Sequence, residues 1–294
     1  MLKTYKTQRK IALHIGVNNC SPDYYSGWRG ELEGPENDAR ALARLSVNAG
    51  YSEHKLLTTE ATRAAVISAF QSFASVLEPG DHFLFSYAGH GNHHRDMSGE
   101  EADNCDETLC LFDGELFDDE LGGLLTDFEM GVNILGFLDC CHSGTMTRDH
   151  SQLFSTSSNV LLYDRSGRIN RSDTPIESSA VAREMPEGLR SMVWESNKAS
   201  NQLIRLSELA NVKTDVKANV TIFSGCDDSQ KSIEEKGRGL FSLAIENVWN
   251  SGHFDGTYSD FYSRLLDSFP DSQTPQASFV GLENPFSNET PFRF

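Results

Sequence analysis

A cysteine and a histidine each follow an apolar segment of the sequence, in positions where such a pair performs nucleophilic catalysis. His90 comes shortly after the segment 81–88, and Cys141 comes shortly after the segment 132–138. A free thiol has a pKa of about 8.5, so a cysteine nucleophile needs a basic partner to supply thiolate near neutral pH. Considered alone, Cys141 could be a cysteine packed in the core and His90 a structural histidine. Taken together, the two residue types predict a thiol nucleophile with an imidazole base.

The placement of these residues depends on an alternation of predicted strands and helices. Strands are predicted at 11–18, 54–58, 81–88, 132–138, 219–224 and 276–281, and helices at 36–49, 62–77, 199–210, 239–249 and 258–269. This order favours an α/β fold with a largely parallel sheet covered on both faces. Ligands of such sheets bind beyond the carboxyl ends of the strands, where His90 and Cys141 are expected.

Charge and composition exclude several classes of function. The 294 residues include 43 acidic and 25 basic side chains, a formal net charge of −18 that repels nucleic-acid phosphates. No apolar run approaches the roughly 18 residues of a membrane span, and the first residues lack the apolar core of a signal peptide. We therefore predict a cytoplasmic protein with no nucleic-acid or membrane partner, whose six cysteines are free thiols.

Two short motifs resemble those of caspase-fold cysteine peptidases, of the metacaspase or bacterial orthocaspase type. They are Tyr-Ala-Gly-His-Gly at 87–91 and Asp-Cys-Cys-His-Ser-Gly at 139–144, and Cys141 lies 51 residues after His90, as in caspases. Residues 36–39, 223–230 and 274–276 extend the resemblance over most of the chain. The caspase pentapeptide Gln-Ala-Cys-x-Gly is absent, which favours the metacaspase branch. The resemblance implies a caspase-like fold, a three-layer α/β/α sandwich around a mostly parallel central sheet.

The resemblance also implies roles for individual residues. Neighbouring strand side chains point in opposite directions, so only one of Cys140 and Cys141 can face His90. The matching motif assigns Cys141, directly before His-Ser-Gly, as the nucleophile and His90 as the base that later protonates the leaving amine. The backbone N–H groups of Gly91 and Cys141 are expected to form the oxyanion hole.

Substrate specificity is expected to come from carboxylates. Asp38 and Asp139 fall on positions of the family's acidic pocket, and two buried carboxylates favour a guanidinium or ammonium partner. Ala88 and Pro35 stand at substrate-pocket positions where the family often has Ser and Cys. We therefore expect cleavage after Arg or Lys. A helix-start carboxylate and a strand-end cap are the structural alternatives for the two aspartates.

A cluster of aspartates predicts a calcium site by the same resemblance. Calcium takes six to eight hard oxygen ligands, and Asp106, Asp118, Asp119 and Asp149 match the metal positions of calcium-dependent metacaspases. The alternative is a solvated acidic face that caps a helix at Asp118. No organic cofactor is expected. The cysteines and histidines near this cluster fit none of the common zinc spacings.

Domain organisation is predicted as one peptidase domain over 1–294. A large-subunit-like part covers 1–150, a variable exposed linker 151–196, and a small-subunit-like part 197–294. The polar stretch 145–196 offers Arg165, Arg168, Arg171, Arg183 and Arg190 as basic cleavage sites, which predicts self-cleavage of a zymogen. An uncut surface loop is the alternative.

These predictions combine into a monomeric endopeptidase that hydrolyses proteins or peptides after Arg or Lys through a thioester. The first alternative is a non-catalytic caspase-like module that binds partners, which the presence of both His90 and Cys141 disfavours. The second is an acyl transferase or glutaminase that uses the same pair of residues.

Overall fold

A seven-stranded sheet forms the centre of the protein, as seen in a computed structural model that describes residues 7–95, 105–141, 161–163, 180–210, 216–227, 230–270, 272–281 and 289–292. Its strands stand in the order β2 (Ser52–Leu57), β1 (Lys10–Gly16), β3 (His82–Ala88), β7 (Asn133–Asp139), β10 (Asn219–Ser224), β13 (Gln276–Val280) and β8 (Leu161–Tyr163). The first five are parallel to one another, whereas β13 is antiparallel to both β10 and β8. The sheet is therefore mostly parallel, as predicted.

Helices cover both faces of this sheet. They are α1 (Pro35–Asn48), α2 (Arg63–Ala74), α3 (Asp118–Thr126), α4 (Glu187–Ala210), α5 (Leu240–Trp249) and α6 (Tyr258–Asp267). Side chains alternate along each strand, so Phe83 and Phe85 of β3 pack with Phe70 of α2, whereas Leu84 belongs to the core that contains Leu265 of α6. Helices α2, α3 and α4 thus cover one face and α1, α5 and α6 the other, which makes the predicted three-layer α/β/α sandwich.

Six short strands lie outside the central sheet, near the carboxyl ends of its strands. One small sheet contains β4 (Gly91–Arg95), β5 (Cys105–Leu111) and β6 (Gly114–Phe117), and the other contains β9 (Val181–Ala182), β11 (Ile233–Glu235) and β12 (Arg238–Gly239). None of these strands is among those that hydrophobic periodicity predicts, although Asp113–Gly114 is a turn signal between β5 and β6. No helix in the described part of the chain is long and apolar enough to cross a membrane.

The segment 151–196 differs from the exposed linker that its polar composition predicts. Among its described residues, Arg183 and Met185 have no exposed surface, and neither does Val193 in α4. Helix α4 begins at Glu187, well before the predicted start at 199. The described end of this segment is therefore part of the packed structure.

Candidate active site

The register of two parallel strands brings the candidate nucleophile and base to one edge of the sheet. Ala88 at the end of β3 pairs with Asp139 at the end of β7. His90 lies two residues after Ala88, and Cys141 lies two residues after Asp139. The loops approach so closely that a Cβ atom on residue 91 would collide with the carbonyl oxygen of Cys141, and glycine is the residue that fits there.

Two backbone amides at this edge hold one carbonyl oxygen, which belongs to Arg183. The amide of Gly91 donates to it at 3.0 Å and the amide of Cys141 donates at 3.2 Å. These are the two amides that the sequence predicts for an oxyanion hole. The carbonyl group that they polarise belongs to the chain's own Arg183–Glu184 peptide bond.

The imidazole of His90 is buried beside this peptide bond. Its Nε2 donates to the carbonyl oxygen of Gly30 at 3.0 Å, and its ring lies 4.8 Å from that of Trp28. The pKa of His90 is lowered to about 4, mainly by burial and to a smaller extent by the charge of Arg183. Backbone hydrogen bonds with Gly30 and Glu184 raise this pKa but do not outweigh burial. A neutral imidazole that carries its proton on Nε2 leaves Nδ1 free to accept a proton.

The two adjacent cysteines occupy different environments. Cys140 packs in the hydrophobic core on the α2 side of the sheet. Cys141 is also buried, but its Sγ accepts a hydrogen bond from the Ser232 amide at 3.1 Å and lies 3.7 Å from the Ser232 carbonyl oxygen. The amide of Arg183 donates to that same carbonyl oxygen at 2.9 Å. Cys141 therefore shares its surroundings with Arg183, as the candidate nucleophile should.

Three carboxylates surround the Arg183 guanidinium. Its Nη2 lies 2.5 Å from Asp38 and 3.2 Å from Glu234, and its Nη1 lies 3.0 Å from Asp139. Burial by itself lowers the pKa of Arg183, but Asp139, Asp38 and Glu234 outweigh this effect and raise it. Both predicted pocket aspartates thus contact one arginine side chain, and a third carboxylate joins them.

Hydrogen bonds fix the orientation of the two aspartates. Asp139 accepts from the hydroxyl of Ser232 at 2.7 Å and from the amide of Ser242, in the first turn of α5, at 3.0 Å. Asp38 accepts from the Arg238 guanidinium at 2.7 Å and from the Gly239 amide at 2.9 Å. Asp139 therefore also caps α5, where the helix dipole favours a negative charge.

Glu234 was not predicted from the sequence. One of its carboxylate oxygens accepts from the amides of Glu33 and Gly34, at 2.8 and 2.9 Å, and the other faces Arg183. Glu235 follows it directly, and nothing in the sequence distinguishes the two glutamates. Ala88, the other predicted pocket residue, lies opposite Asp139 in the sheet and offers the pocket no polar side-chain atom.

The pocket is electrostatically suited to a cation. Burial raises the pKa of Asp38, and the nearby charge of Asp139 raises it further, whereas Arg183 and Arg238 lower it. Glycine at position 239 is also required, because a Cβ atom there would collide with the Asp139 carboxylate and the Arg183 guanidinium. The pocket therefore stabilises a bound guanidinium through several charge-assisted hydrogen bonds.

The chain around Arg183 lies across this edge in an extended conformation. Strand β9, which ends directly before Arg183, pairs antiparallel with β11, and the Met185 amide donates to the Gly91 carbonyl oxygen at 3.0 Å. The segment thus reaches both sides of the Arg183–Glu184 bond, as a peptide substrate does in a protease.

The predicted calcium ligands are only partly described. Asp118 is buried at the start of α3 and accepts a hydrogen bond from the Asp119 amide at 2.9 Å. Asp149 lies outside the described residues, as does the side chain of Asp106. Within the described residues, no group of three or more potential ligands is placed to hold a metal ion. The all-oxygen donor set is of the type that calcium takes.

Comparison with known proteins identifies relatives of this chain. A family model described as the caspase domain matches residues 9–287. Metacaspase-1 of Mycosarcoma maydis is 28% identical over 292 residues, which cover 92% of this chain and 70% of that protein. The crystal structure of a Geobacter sulfurreducens protein superposes with a TM-score of 0.79 at 34% identity, covering 97% of this chain and 98% of the other. The crystal structure of caspase-1 from Spodoptera frugiperda is 13% identical and superposes with a TM-score of 0.54. The match covers 96% of this chain and 88% of the other, and it shows a shared fold.

Proposed function

We propose a substrate specificity and a catalytic pair for this chain, which belongs to the caspase-domain family and is a cysteine-type peptidase. It hydrolyses peptide bonds after arginine, and less efficiently after lysine. Cys141 is the nucleophile and His90 is the base. The observation that carries this proposal is Arg183. Its guanidinium lies among three carboxylates, while its carbonyl oxygen accepts from the amides of Gly91 and Cys141. An arginine placed in this way represents the residue on the amino side of a scissile bond.

The mechanism begins with thiolate formation at Cys141. The neutral imidazole of His90 accepts the thiol proton, and the thiolate attacks the carbonyl carbon held by the two amides. Negative charge that develops on the carbonyl oxygen is stabilised by those amides, which need no reorganisation. The bond to the leaving nitrogen breaks as His90 returns its proton to that nitrogen, and water then hydrolyses the thioester.

The first substrate in this proposal is the chain itself, at Arg183–Glu184. Among the other arginines predicted as cleavage sites, Arg190 lies within α4, where a helical backbone cannot extend along the site. Arg165, Arg168 and Arg171 lie outside the described residues. The three carboxylates and two amides that contact Arg183 support this choice, since binding at both ends of the residue aligns its carbonyl carbon.

Intact mass measurement tests the proposal on the 294-residue chain. Wild type should yield two fragments, one ending at Arg183 and one beginning at Glu184, and should hydrolyse a fluorogenic arginyl peptide. Cys141→Ala should remain at 32.6 kDa and be inactive, whereas Cys140→Ala should retain measurable cleavage because Cys140 packs in the core.

Arg171→Gln is the matched control for Arg183→Gln, since both remove one arginine from the same segment. Cleavage should persist in the Arg171 variant and stop in the Arg183 variant. Fragments that end at Arg171, or an active Cys141→Ala protein, would contradict the assignment. A chain that binds arginyl peptides without cleaving them would instead favour the non-catalytic module.

We also propose that calcium promotes this activity through Asp106, Asp118, Asp119 and Asp149. Calcium would neutralise carboxylates that otherwise repel one another near the loops of the site. Calorimetry on Cys141→Ala should show calcium binding that Asp119→Asn weakens, with Asp127→Asn as a control aspartate at the other end of α3. Full activity of wild type in chelator would exclude the requirement.

A further inference from the structure

We infer that the processed enzyme keeps the new amino group of Glu184 beside Cys141 and transfers acyl groups to it, so that the enzyme ligates arginyl acyl groups to its own chain. This inference rests on the proposed cleavage after Arg183. It concerns the part of the chain on the carboxyl side of that bond, which the hydrolytic reaction treats as the leaving group.

The residues directly after the bond are held firmly in the structure. Met185 has no exposed surface, and its amide donates to the Gly91 carbonyl oxygen at 3.0 Å. The Glu184 carboxylate pairs with Arg190 and, at 2.9 Å, with Lys231. None of these contacts involves the peptide bond to Arg183, so cleavage of that bond leaves them in place.

Helix α4 extends this anchor into the core. Val193 is fully buried, and the Asn197 side chain donates to the Tyr24 carbonyl oxygen at 2.9 Å. The ring of Trp194 lies 4.9 Å from that of His94 on β4. A new chain end only three residues before α4 therefore has little freedom to leave the site.

The residues before the bond are held differently. Strand β9 contains two residues, Val181 is 46% exposed, and Arg183 provides the one buried anchor among residues 180–183. After hydrolysis only the Arg183 side chain and the two-residue pairing of β9 with β11 retain this segment, because its covalent link to α4 is gone. The amino side of the cut should therefore leave the pocket, while the carboxyl side stays.

An arginyl acyl group from another molecule can then enter the emptied pocket. Cys141 displaces its leaving group and forms a thioester. The Glu184 nitrogen attacks the thioester carbon, a C–N bond forms, the C–S bond breaks, and His90 accepts the proton that the amine loses. No oxidant or reductant is needed. The retained amine competes with water because an oriented intramolecular nucleophile has a high effective concentration.

The test uses fully processed wild type and Nα-acetyl-arginine ethyl ester at pH 8, where about half or more of an α-amino group with a pKa of about 7.7–8.0 is unprotonated. The fragment 184–294 should gain one acetyl-arginyl group, located by peptide mapping on the Glu184 nitrogen. The adduct should persist while ester remains and decay when it is exhausted, because its new bond is again a substrate.

Met185→Ala weakens the anchor and should lower the ratio of ligated to hydrolysed ester at least about fivefold. Met192→Ala, a matched change on the exposed side of α4, should leave the ratio unchanged. Ester hydrolysis with no mass gain at any time would overturn the inference and leave the proposed function standing. A chain that is neither processed nor able to hydrolyse the ester would refute the proposed function, and this inference with it.

Discussion

At the scale of single residues, the pocket distinguishes arginine from lysine by geometry. Arg183 uses Nη1 for Asp139 and Nη2 for both Asp38 and Glu234. A planar guanidinium offers several donors in a fixed arrangement, whereas an ammonium is one compact charge on a flexible stem. Lysine therefore cannot satisfy all three carboxylates as well as arginine does.

Glu234→Gln tests this explanation. The variant keeps an oxygen for the Glu33 and Gly34 amides but removes the charge that faces Arg183. A charge-assisted hydrogen bond contributes about 1.5–3 kcal/mol, so kcat/KM for arginyl peptides should fall roughly tenfold or more. Steady-state kinetics on arginyl and lysyl peptides provide the measurement. Glu235→Gln is the control, and an equal loss in both variants would show that Glu234 has no special role.

At the scale of elements, the segment that contains β9 and leads to α4 occupies the site that a substrate needs. Arg183 fills the acidic pocket, and β9 pairs with β11. The pairing is only two residues long on β9, so occupancy depends mainly on the arginine. The uncut chain should therefore inhibit its own action on other molecules.

Two uncleavable variants separate occupancy from cleavage. Glu184→Pro should block cleavage, because the ring removes the N–H and crowds the scissile nitrogen, while Arg183 stays in the pocket. Arg183→Gln should also stay uncut, but this variant places no guanidinium in the acidic pocket. Turnover of an arginyl peptide should be at least about tenfold higher for Arg183→Gln, because glutamine cannot form the charge-assisted hydrogen bonds that keep the segment in the pocket. Equal turnover would mean that the segment does not inhibit.

At the scale of the whole molecule, three buried histidines link stability to pH. Burial is the main cause that lowers the pKa of His14 to about 3 and the pKa values of His82 and His90 to about 4. In the unfolded chain these groups have ordinary values of about 6.5. Between about pH 6.5 and 4 the unfolded state therefore binds more protons, and folding stability must fall as the pH falls.

Denaturant unfolding across this range tests the linkage. Each histidine should reduce the free energy of unfolding by up to about 1.4 kcal/mol per pH unit below its unfolded pKa. His14→Gln should reduce the steepness of this loss, because it removes a group buried between Ser46 and Ser86. His253→Gln, at an exposed position, serves as the control. Identical pH profiles for the two variants would contradict the explanation.

The sequence by itself determined six of the seven strands of the central sheet, all but the edge strand β8, together with most of the covering helices and the edge where chemistry is expected. Apolar runs and helical periodicity are local signals, and parallel strands carry their carboxyl ends to one edge. The positions of His90 and Cys141 follow from β3 and β7, and the motifs that resemble known peptidases added Asp38 and Asp139.

Only the tertiary structure decided what fills the pocket. Arg183 lies in a polar stretch that predicts an exposed loop, and its burial is favourable because α1, β7 and β11 each bring one carboxylate to it. These elements are distant in sequence, so local patterns carry no signal of their convergence. Sequence patterns also failed to distinguish Glu234 from its acidic neighbours, because a buried charge is stabilised by partners that only folding assembles. They failed to predict the early start of α4 because its first turns are fixed by tertiary contacts.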